Sequence, residues 1–297
     1  MTAPSPTLPS PTLPLPTRAP AIAAPSAAAP AAPRQPRAQG RVEIGVRTEN
    51  GTTRLAHLYQ QGSARCLMPQ GEAAPTAVLI NTAGGITGGD RFAWQAEAGA
   101  GAHLVLATQT AERAYRAQPG ETGRVETALT LGPGARLDWL AQETILFDGA
   151  SLARRLTVEM AADARLLIVE PLVLGRAAMG ETVARARFTD RWEIRREGRL
   201  IRAEATRLCG PVAEIAARPA VLAGLRAIAT VLYAGPDAEQ KLAIARALLP
   251  TDCAGASLLR GTLSIRLAAP DGARLRSALK RFLSGFRDHP LPRVWTM

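Results

Sequence analysis

Residues 123–137 read GRVETALTLGPGARL, an alternating segment that ends in a glycine turn. The apolar side chains of Val125, Leu129 and Leu131 alternate with polar or small ones, which is the period of two expected for a β-strand with one buried face. The same alternation is present at residues 92–96, 156–160 and 192–194. The chain from about residue 41 to residue 207 is therefore predicted to be built from strands.

A short turn recurs along this strand-rich region. GAHL at residues 101–104 is followed by GARL at 134–137, DARL at 163–166 and GRL at 198–200. The leucines of these turns are 33, 29 and 34 residues apart. A repeating unit of strands and turns predicts either stacked coils or a layered antiparallel sandwich, in which neighbouring units bury each other's apolar edges. An ordinary meander of hairpins is the alternative.

The period changes to that of helices after Pro219. Helical segments are predicted at about 219–249, where Asp237 and Gln240 resemble a capping box, and at 271–287, with Asp271 as N-cap. The last helix carries an apolar stripe that is expected to expose a docking patch, formed by Phe282, Leu283 and Phe286. The predicted fold is mainly β: stacked or layered antiparallel β-sheets, a β-helix-like platform, with a small C-terminal helical addition.

The first 40 residues differ in composition from the rest of the chain. Residues 1–38 hold eleven of the 23 prolines, and the first acidic residue is Glu43. Such a segment lacks the apolar content to join a core, so residues 1–40 are predicted to be a disordered extension and residues 41–297 the folded domain. No secretory signal or membrane-spanning stretch is expected.

Charge and cysteine content exclude several classes of protein. The formal net charge is +11, but only 4% of residues are aromatic and the arginines are scattered, which argues against nucleic-acid binding. The three cysteines lie far apart and are typical of a reducing cytosol. No cysteine or histidine spacing matches a tight metal site, and no serine has the context of a catalytic nucleophile, so the chain is predicted not to be an enzyme and to hold no tightly bound cofactor.

Four segments stand out in composition: NTAGGITGGD at residues 81–90, TQTAERAYR at 108–116, QETILFDGA at 142–150 and LGRAAMGE at 174–181. The glycine-rich first segment lacks the Gly-Lys-Ser/Thr end of a P-loop and is followed by a strand pattern rather than a helix. Taken together and in this order, the four segments resemble the urease accessory protein family UreD/UreH. The resemblance covers about residues 42–297, including Pro292 to Trp295.

This resemblance implies a β-rich chaperone of nickel-urease maturation. Its expected partners are a UreF-like accessory protein, a UreG-like GTPase and the urease apoprotein, and its expected cargo is transient nickel. The acidic positions that match the family's motifs, and that are hypothesised to line a nickel passage, are Asp90, Glu143, Asp148 and Glu181. The positions expected to shape the turns are Gly84, Gly85, Gly88, Gly89, Arg113, Tyr115 and Arg176.

Three other interpretations of these segments stay open. Carboxylates on strands usually face solvent, so the acidic residues in or beside the segments, which also include Glu112 and Glu170, need not bind a metal. The glycine loop could hold an anionic ligand through its backbone N–H groups. The chain could also be a purely structural subunit of an assembly.

Overall fold

The computed structural model describes residues 1, 36–250 and 252–296. The folded unit starts at Arg37, and its first strand includes Gln39 and Gly40, so the domain begins slightly before the predicted residue 41. The rest of the prediction for residues 1–40 falls mainly on residues 2–35, outside the described residues.

The described residues form strands β1 (Gln39–Glu49), β2 (Thr52–Gly62), β3 (Ala64–Leu67), β4 (Thr76–Asn81), β5 (Arg91–Ala98), β6 (His103–Thr108), β7 (Glu112–Ala114), β8 (Gly123–Leu131), β9 (Arg136–Leu140), β10 (Thr144–Leu146), β11 (Ser151–Met160), β12 (Arg165–Leu174), β13 (Arg185–Arg196), β14 (Arg199–Pro211), β15 (Ala227–Ala234), β16 (Ala254–Leu259) and β17 (Thr262–Ala269). The helices are α1 (Val212–Ala217), α2 (Ala238–Leu248), α3 (Gly272–Phe286) and α4 (Arg293–Thr296), with one 3₁₀ turn at Ala177–Met179. None of these helices is long and apolar enough to cross a membrane.

Two sheets face each other. The first sheet has the strand order β14-β13-β11-β8-β5-β1-β2, and the second has β16-β17-β15-β12-β9-β6-β4-β3, with the short strands β7 and β10 attached beside β12. The predicted class, mainly β with stacked layers and a small C-terminal helical addition, is confirmed. The central strands of both sheets pair parallel, and only the outer pairs are antiparallel as predicted. Parallel pairing arises because each coil returns the chain to the same sheet in the same direction.

The turn repeat marks the coils. Leu104 lies opposite Leu137, and Leu137 lies opposite Leu166, in the parallel register of the second sheet. All three side chains are fully buried, so each coil places the same leucine on its neighbour. The fourth turn does not continue the series, because Leu200 lies in β14, which turns back beside β13 and leaves this side chain exposed.

Apolar packing occupies both faces of the second sheet. In β12, Leu166 and Ile168 face the first sheet, whereas Leu167 and Val169 belong to a separate cluster formed with α2 and α3. A strand buried on both faces has a nearly continuous apolar sequence, which explains the run RLLIVEPLVL at residues 165–174. Helices α2 and α3 therefore cover the second sheet, and the first sheet keeps its outer face toward solvent.

One predicted helical segment is partly wrong. Residues 227–234 form strand β15 rather than a helix, and only Ala238–Leu248 of the predicted segment 219–249 forms a regular helix. Because β15 is buried on both faces, its apolar run cannot be told from a buried helix by periodicity. Asp237 precedes α2, but its side chain accepts a hydrogen bond from the Tyr233 hydroxyl (2.6 Å) instead of capping the helix.

The final helix forms close to where it is predicted. Asp271 caps α3 by accepting a hydrogen bond from the Arg274 amide at 2.8 Å. The expectation of an exposed docking patch on this helix is wrong, because Phe282, Leu283 and Phe286 are buried against the second sheet.

Candidate functional site

The four unusual segments lie together along one edge of the coil. Ile86 forms a parallel bridge to Ala114 at the end of β7, and β7 pairs parallel with β10. The Gly175 amide then donates to the Leu146 carbonyl at 2.9 Å, which brings in the last segment. We call this the turn edge; its segments are residues 81–90, 108–116, 142–150 and 174–181. The order of these segments in the sequence is therefore the order in which they stack.

The first glycine pair allows a close approach to the neighbouring segment. Gly84 and Gly85 have φ angles of +79° and +148°. A Cβ atom on Gly85 would lie 2.3 Å from the Tyr115 ring and 2.8 Å from the Arg113 carbonyl oxygen. Glycine is thus needed here because a side chain would collide with a fixed backbone atom.

The second glycine pair is also packed closely. A Cβ atom on Gly88 would lie 2.6 Å from the Glu121 Cβ atom. Gly89 has a φ of +88° and lies against the side chain of Arg37. Both positions fix the shape of the turn that leads into β5.

Two N–H groups in the middle of the glycine loop are already paired within the protein. The Ile86 amide donates to the Arg113 carbonyl at 2.7 Å, and the Thr87 amide donates to the Asp90 carboxylate at 2.8 Å. An anion cradle needs backbone N–H groups that point toward a ligand. This geometry favours a shaped turn over an anion site.

Two of the four predicted passage carboxylates fix loop backbones. Asp90 is buried, and its oxygens accept from the amides of Ala38 and Thr87, both at 2.8 Å. Asp148 accepts from the Arg185 amide at 3.0 Å and pairs with the Arg116 guanidinium at 2.5 Å.

The other two carboxylates also have partners within the protein. Glu181 accepts from the Asp148 amide at 3.2 Å and from Arg176 Nε at 2.8 Å. Glu143 lies 3.3 Å from the Arg276 guanidinium. The role of all four as nickel ligands stays a prediction.

The three other predicted motif residues contribute to the turn edge in different ways. The Tyr115 hydroxyl donates to the Gly84 carbonyl at 3.2 Å, and its ring meets Phe147 edge to face. The Arg176 guanidinium lies 4.4 Å from the centre of the Phe147 ring. Arg113 acts through its carbonyl, and its guanidinium makes no salt bridge to any described residue.

Two adjoining cavities lie between the sheets, behind the turn edge. The first has a volume of about 110 Å³, and its lining includes Asn81, Gly85 and Glu112 of the turn edge. The second, of about 100 Å³, extends to Val221 and the half-exposed side chain of Arg266 near β14 and β17. The residues that line both cavities are Arg154, Glu170 and Asp190. We call these three residues the interior cluster.

Strand register explains how polar residues meet in this apolar space. In the first sheet, Arg154 on β11 lies opposite Asp190 on β13, which lies opposite Thr206 on β14. In the second sheet, Glu170 on β12 lies opposite Thr230 on β15. Because neighbouring strands are in register, two polar rows face each other across the gap and run along the stacking direction.

Hydrogen bonds hold the interior cluster together. The Arg154 Nη1 atom donates to Glu170 at 2.6 Å, and its Nη2 atom pairs with Asp190. The Trp139 indole N–H donates to the other oxygen of Glu170 at 2.7 Å. Arg154 is the only arginine that pairs with these two carboxylates among the described residues, so the cluster carries one excess negative charge when all three groups are ionised.

The cluster has perturbed titration behaviour. Burial raises the pKa of Glu170, the positive charge of Arg154 opposes this rise, and the negative charge of Asp190 adds to it. Burial alone would lower the pKa of Arg154, but the charges of Asp190 and Glu170 outweigh burial and raise it. Arg154 therefore stays protonated, and the proton most easily taken up on acidification goes to a carboxylate.

A further carboxylate lines the first cavity on the side of the turn edge. Glu112 accepts hydrogen bonds from the Asn81 side-chain amide at 3.3 and 3.2 Å. The pKa of Glu112 is raised, because the effect of burial is larger than the opposing effects of the hydrogen bond from Asn81 and the charge of Arg113. Glu112 thus places an oxygen donor at the turn edge of the same interior space.

Sequence reasoning noted Glu112 and Glu170 but selected neither, and it missed Arg154, Asp190 and Trp139. One signal was available: Asp190 shares the inward phase of Phe188 and Trp192, where an apolar residue is expected. A second signal was Glu170, which interrupts a strand that is otherwise apolar on both faces. In residues 36–250 and 252–296, no three His, Cys, Asp or Glu side chains are grouped as a metal site would need.

Residues 38–296 match the family model described as UreD urease accessory protein. A urease accessory protein UreD of Rhizobium leguminosarum bv. trifolii is 50% identical over 266 residues, which cover 89% of this chain and 97% of that protein. The UreD proteins of Methylobacterium sp. (strain 4-46) and Azorhizobium caulinodans are 50% and 47% identical, over 89% and 90% of this chain and 96% and 99% of their own lengths.

These relatives are named accessory proteins. The match to the family model spans the turn edge, the interior cluster and both sheets. The four ordered segments, the coil that stacks them and the match over nearly the whole folded unit agree with one another. The chain belongs to the UreD family of urease accessory proteins.

Proposed function

We propose that this protein is a non-enzymatic chaperone of urease maturation that scaffolds a UreF-like protein and a UreG-like GTPase on apo-urease and passes nickel toward the urease active site. Family membership supports the role in urease maturation. The proposed location is the cytoplasm, where cysteines remain reduced. Neither nucleic acids nor membranes are part of the proposal.

The observation that carries the nickel part of the proposal is the set of carboxylates along the interior space. Glu112 lines the first cavity on the side of the turn edge, and Glu170 and Asp190 lie where the two cavities adjoin. Carboxylate oxygens bind divalent cations through hard-ligand chemistry, and isolated ones bind weakly enough to release the ion. Nickel is therefore proposed as a transient cargo.

The test separates nickel delivery from assembly. Glu112→Gln, Glu170→Gln and Asp190→Asn are each co-expressed with the urease operon. Complexes are recovered through a tagged partner, and nickel per urease active site is measured by mass spectrometry. We expect lower nickel content with normal complex assembly, because removing an oxygen donor affects transfer while the apolar core is preserved.

Amide variants of the turn-edge carboxylates form the comparison set. The predicted passage role of Asp90, Glu143, Asp148 and Glu181 requires the same selective loss of nickel. Their contacts lead us to expect a reduced amount of folded protein instead, because each accepts a hydrogen bond or ion pair that shapes a turn. Parent-like nickel content in all three cavity variants would refute the proposed interior route.

A further inference from the structure

Arg154 lies where the two cavities adjoin, because it lines both of them together with Glu170 and Asp190. Its side chain is 12% exposed and extends from β11 into the gap between the sheets. Its guanidinium lies 5.2 Å from the centre of the Phe188 ring, which lines the second cavity. Arg154 has the longest side chain of the three residues that line both cavities.

The guanidinium itself occupies the position of a cation. It contacts Glu170 on the second sheet and Asp190 on the first, so the two carboxylates converge on it from opposite walls. A positive charge at this position repels any divalent cation that moves between the cavities. Carboxylates that converge on a cation are also the ligands that a hard divalent ion prefers.

The guanidinium is held by Glu170, Asp190 and the Thr144 hydroxyl, which accepts from Nη1 at 3.1 Å, but it is not fully satisfied. Its Nε atom is buried without a hydrogen-bond acceptor, so the donors of Arg154 are not all satisfied. Cavity space adjoins the side chain in both directions. The second oxygen of Glu170 keeps its hydrogen bond from Trp139, which holds this carboxylate in place independently of Arg154.

We propose that Arg154 is a gate: its guanidinium fills a divalent-cation position between Glu170 and Asp190 and closes the interior space until it is displaced. This inference rests on the proposed passage of nickel and adds its regulation. Passage then requires that the guanidinium swings aside, after which the cation takes its place between the same two carboxylates. Arg154 is a positioning residue, since it acts through the carboxylates.

The test uses the purified, tag-free full-length chain and manganese(II), which prefers oxygen ligands and so avoids the histidines. Arg154→Met removes the charge and keeps most of the side-chain volume. We expect its Tm to be below that of the parent without metal and to rise with manganese concentration, as for a ligand that binds only the folded state. Manganese affinity, followed by electron paramagnetic resonance, is expected to be at least about tenfold higher than in the parent.

Matched variants make the result specific. Arg154→Met combined with Glu170→Gln should lose the manganese-dependent rise in Tm, because one of the two converging ligands is then neutral. Arg191→Met removes an exposed arginine from β13 that makes no salt bridge to described residues, and it should behave like the parent. If Arg154→Met does not fold, Arg154→Lys carries the test, because an ammonium group holds two carboxylates less well than a guanidinium and should give an intermediate manganese dependence.

Manganese-independent melting of the folded Arg154 variants, equal to that of the parent, would overturn the gate. These measurements need neither urease nor its other accessory proteins. A further outcome is that manganese binds the isolated Arg154 variants as expected while the cavity variants described above load nickel normally. In that case the cation position between Glu170 and Asp190 would stand, and the proposed nickel passage would be refuted.

Discussion

Asp138 and Arg287 form a buried ion pair that ties the end of α3 to the second sheet. The Nε and Nη2 atoms of Arg287 donate to one oxygen of Asp138 at 3.0 and 2.8 Å. The two side chains are only 2% and 1% exposed. The pair joins positions 149 residues apart in the chain, so it closes the helical addition onto the coil.

Asp138→Asn should destabilise the protein strongly. Removing one partner leaves the buried Arg287 charge without its counter-ion, and such changes cost about 3–5 kcal/mol of unfolding free energy. Urea unfolding followed by circular dichroism measures the loss. Glu159→Gln, an exposed change on β11, serves as the control and should be nearly neutral. Equal urea midpoints for both variants would contradict the structural role of the pair.

The same pair predicts a pH dependence. Burial alone would raise the pKa of Asp138, but the His103 imidazole, 3.7 Å away, and the charges of Arg287 and Arg136 outweigh burial and hold this pKa well below its ordinary value. Because the pKa of Asp138 is lower in the folded state, its carboxylate makes its full contribution to the free energy of unfolding above the unfolded-state pKa, which is about 4. This contribution is lost as the pH falls toward the folded-state pKa. The difference in unfolding free energy between the parent and Asp138→Asn should therefore be constant from about pH 5 to about pH 7, which is roughly one unit or more above the unfolded-state pKa. The difference should shrink at lower pH.

Glu112→Gln should have the opposite pH dependence. Because burial raises the pKa of Glu112, folding favours its protonated form, and the parent loses stability as the pH rises through the interval between the unfolded and folded values. The amide cannot ionise, so the stability of the variant relative to the parent should increase over that interval. Thermal melts at several pH values test this, and a constant difference across the series would show that Glu112 titrates normally.

The glycine pair Gly84 and Gly85 offers a matched comparison. Gly84→Ala places a Cβ atom in open space, so its only cost is that alanine must adopt a left-handed backbone conformation. This should lower the unfolding free energy by roughly 1–2 kcal/mol. Gly85→Ala adds a collision with the Arg113 carbonyl and the Tyr115 ring, so its loss of unfolding free energy should be larger. Chemical denaturation of the two variants side by side gives the order, and the reverse order would be inconsistent with the close approach at Gly85.

The three cysteines should differ in reactivity. Burial raises the pKa of the Cys66 thiol to about 11, which leaves very little thiolate near neutral pH. Cys253 is exposed, and Cys209 is partly buried. Iodoacetamide followed by peptide mass spectrometry should modify Cys253 first and Cys66 only after unfolding. Denatured protein, in which all three should react, is the control; rapid labelling of native Cys66 would contradict its burial.

Much of the fold was predictable because its signals are local. Alternation at residues 123–137 predicts strands, and the turns that contain Leu104, Leu137 and Leu166 predict a stacked repeat. Asp271 and the apolar stripe after it predict the last helix. Strand β15 was misread as a helix, because burial on both faces removes the alternation that distinguishes a strand.

Local sequence also indicated which segments are special, but not what they contact. Asp90, Asp148 and Glu181 were chosen because they lie within the four segments, and the structure places them among backbone amides and arginines of the turn edge. Each of the three also has a partner from a distant part of the chain, so composition alone could not predict these contacts.

The sequence was sufficient for the β-rich class, the coil repeat and the family resemblance, because each depends on residues read in order along the chain. The interior cluster depended on folding. Glu170 and Asp190 are 16 and 36 residues from Arg154, and they meet it from two different sheets. Parallel register and the distance between the sheets determine that meeting, and both arise only when the apolar faces of successive coils are buried together.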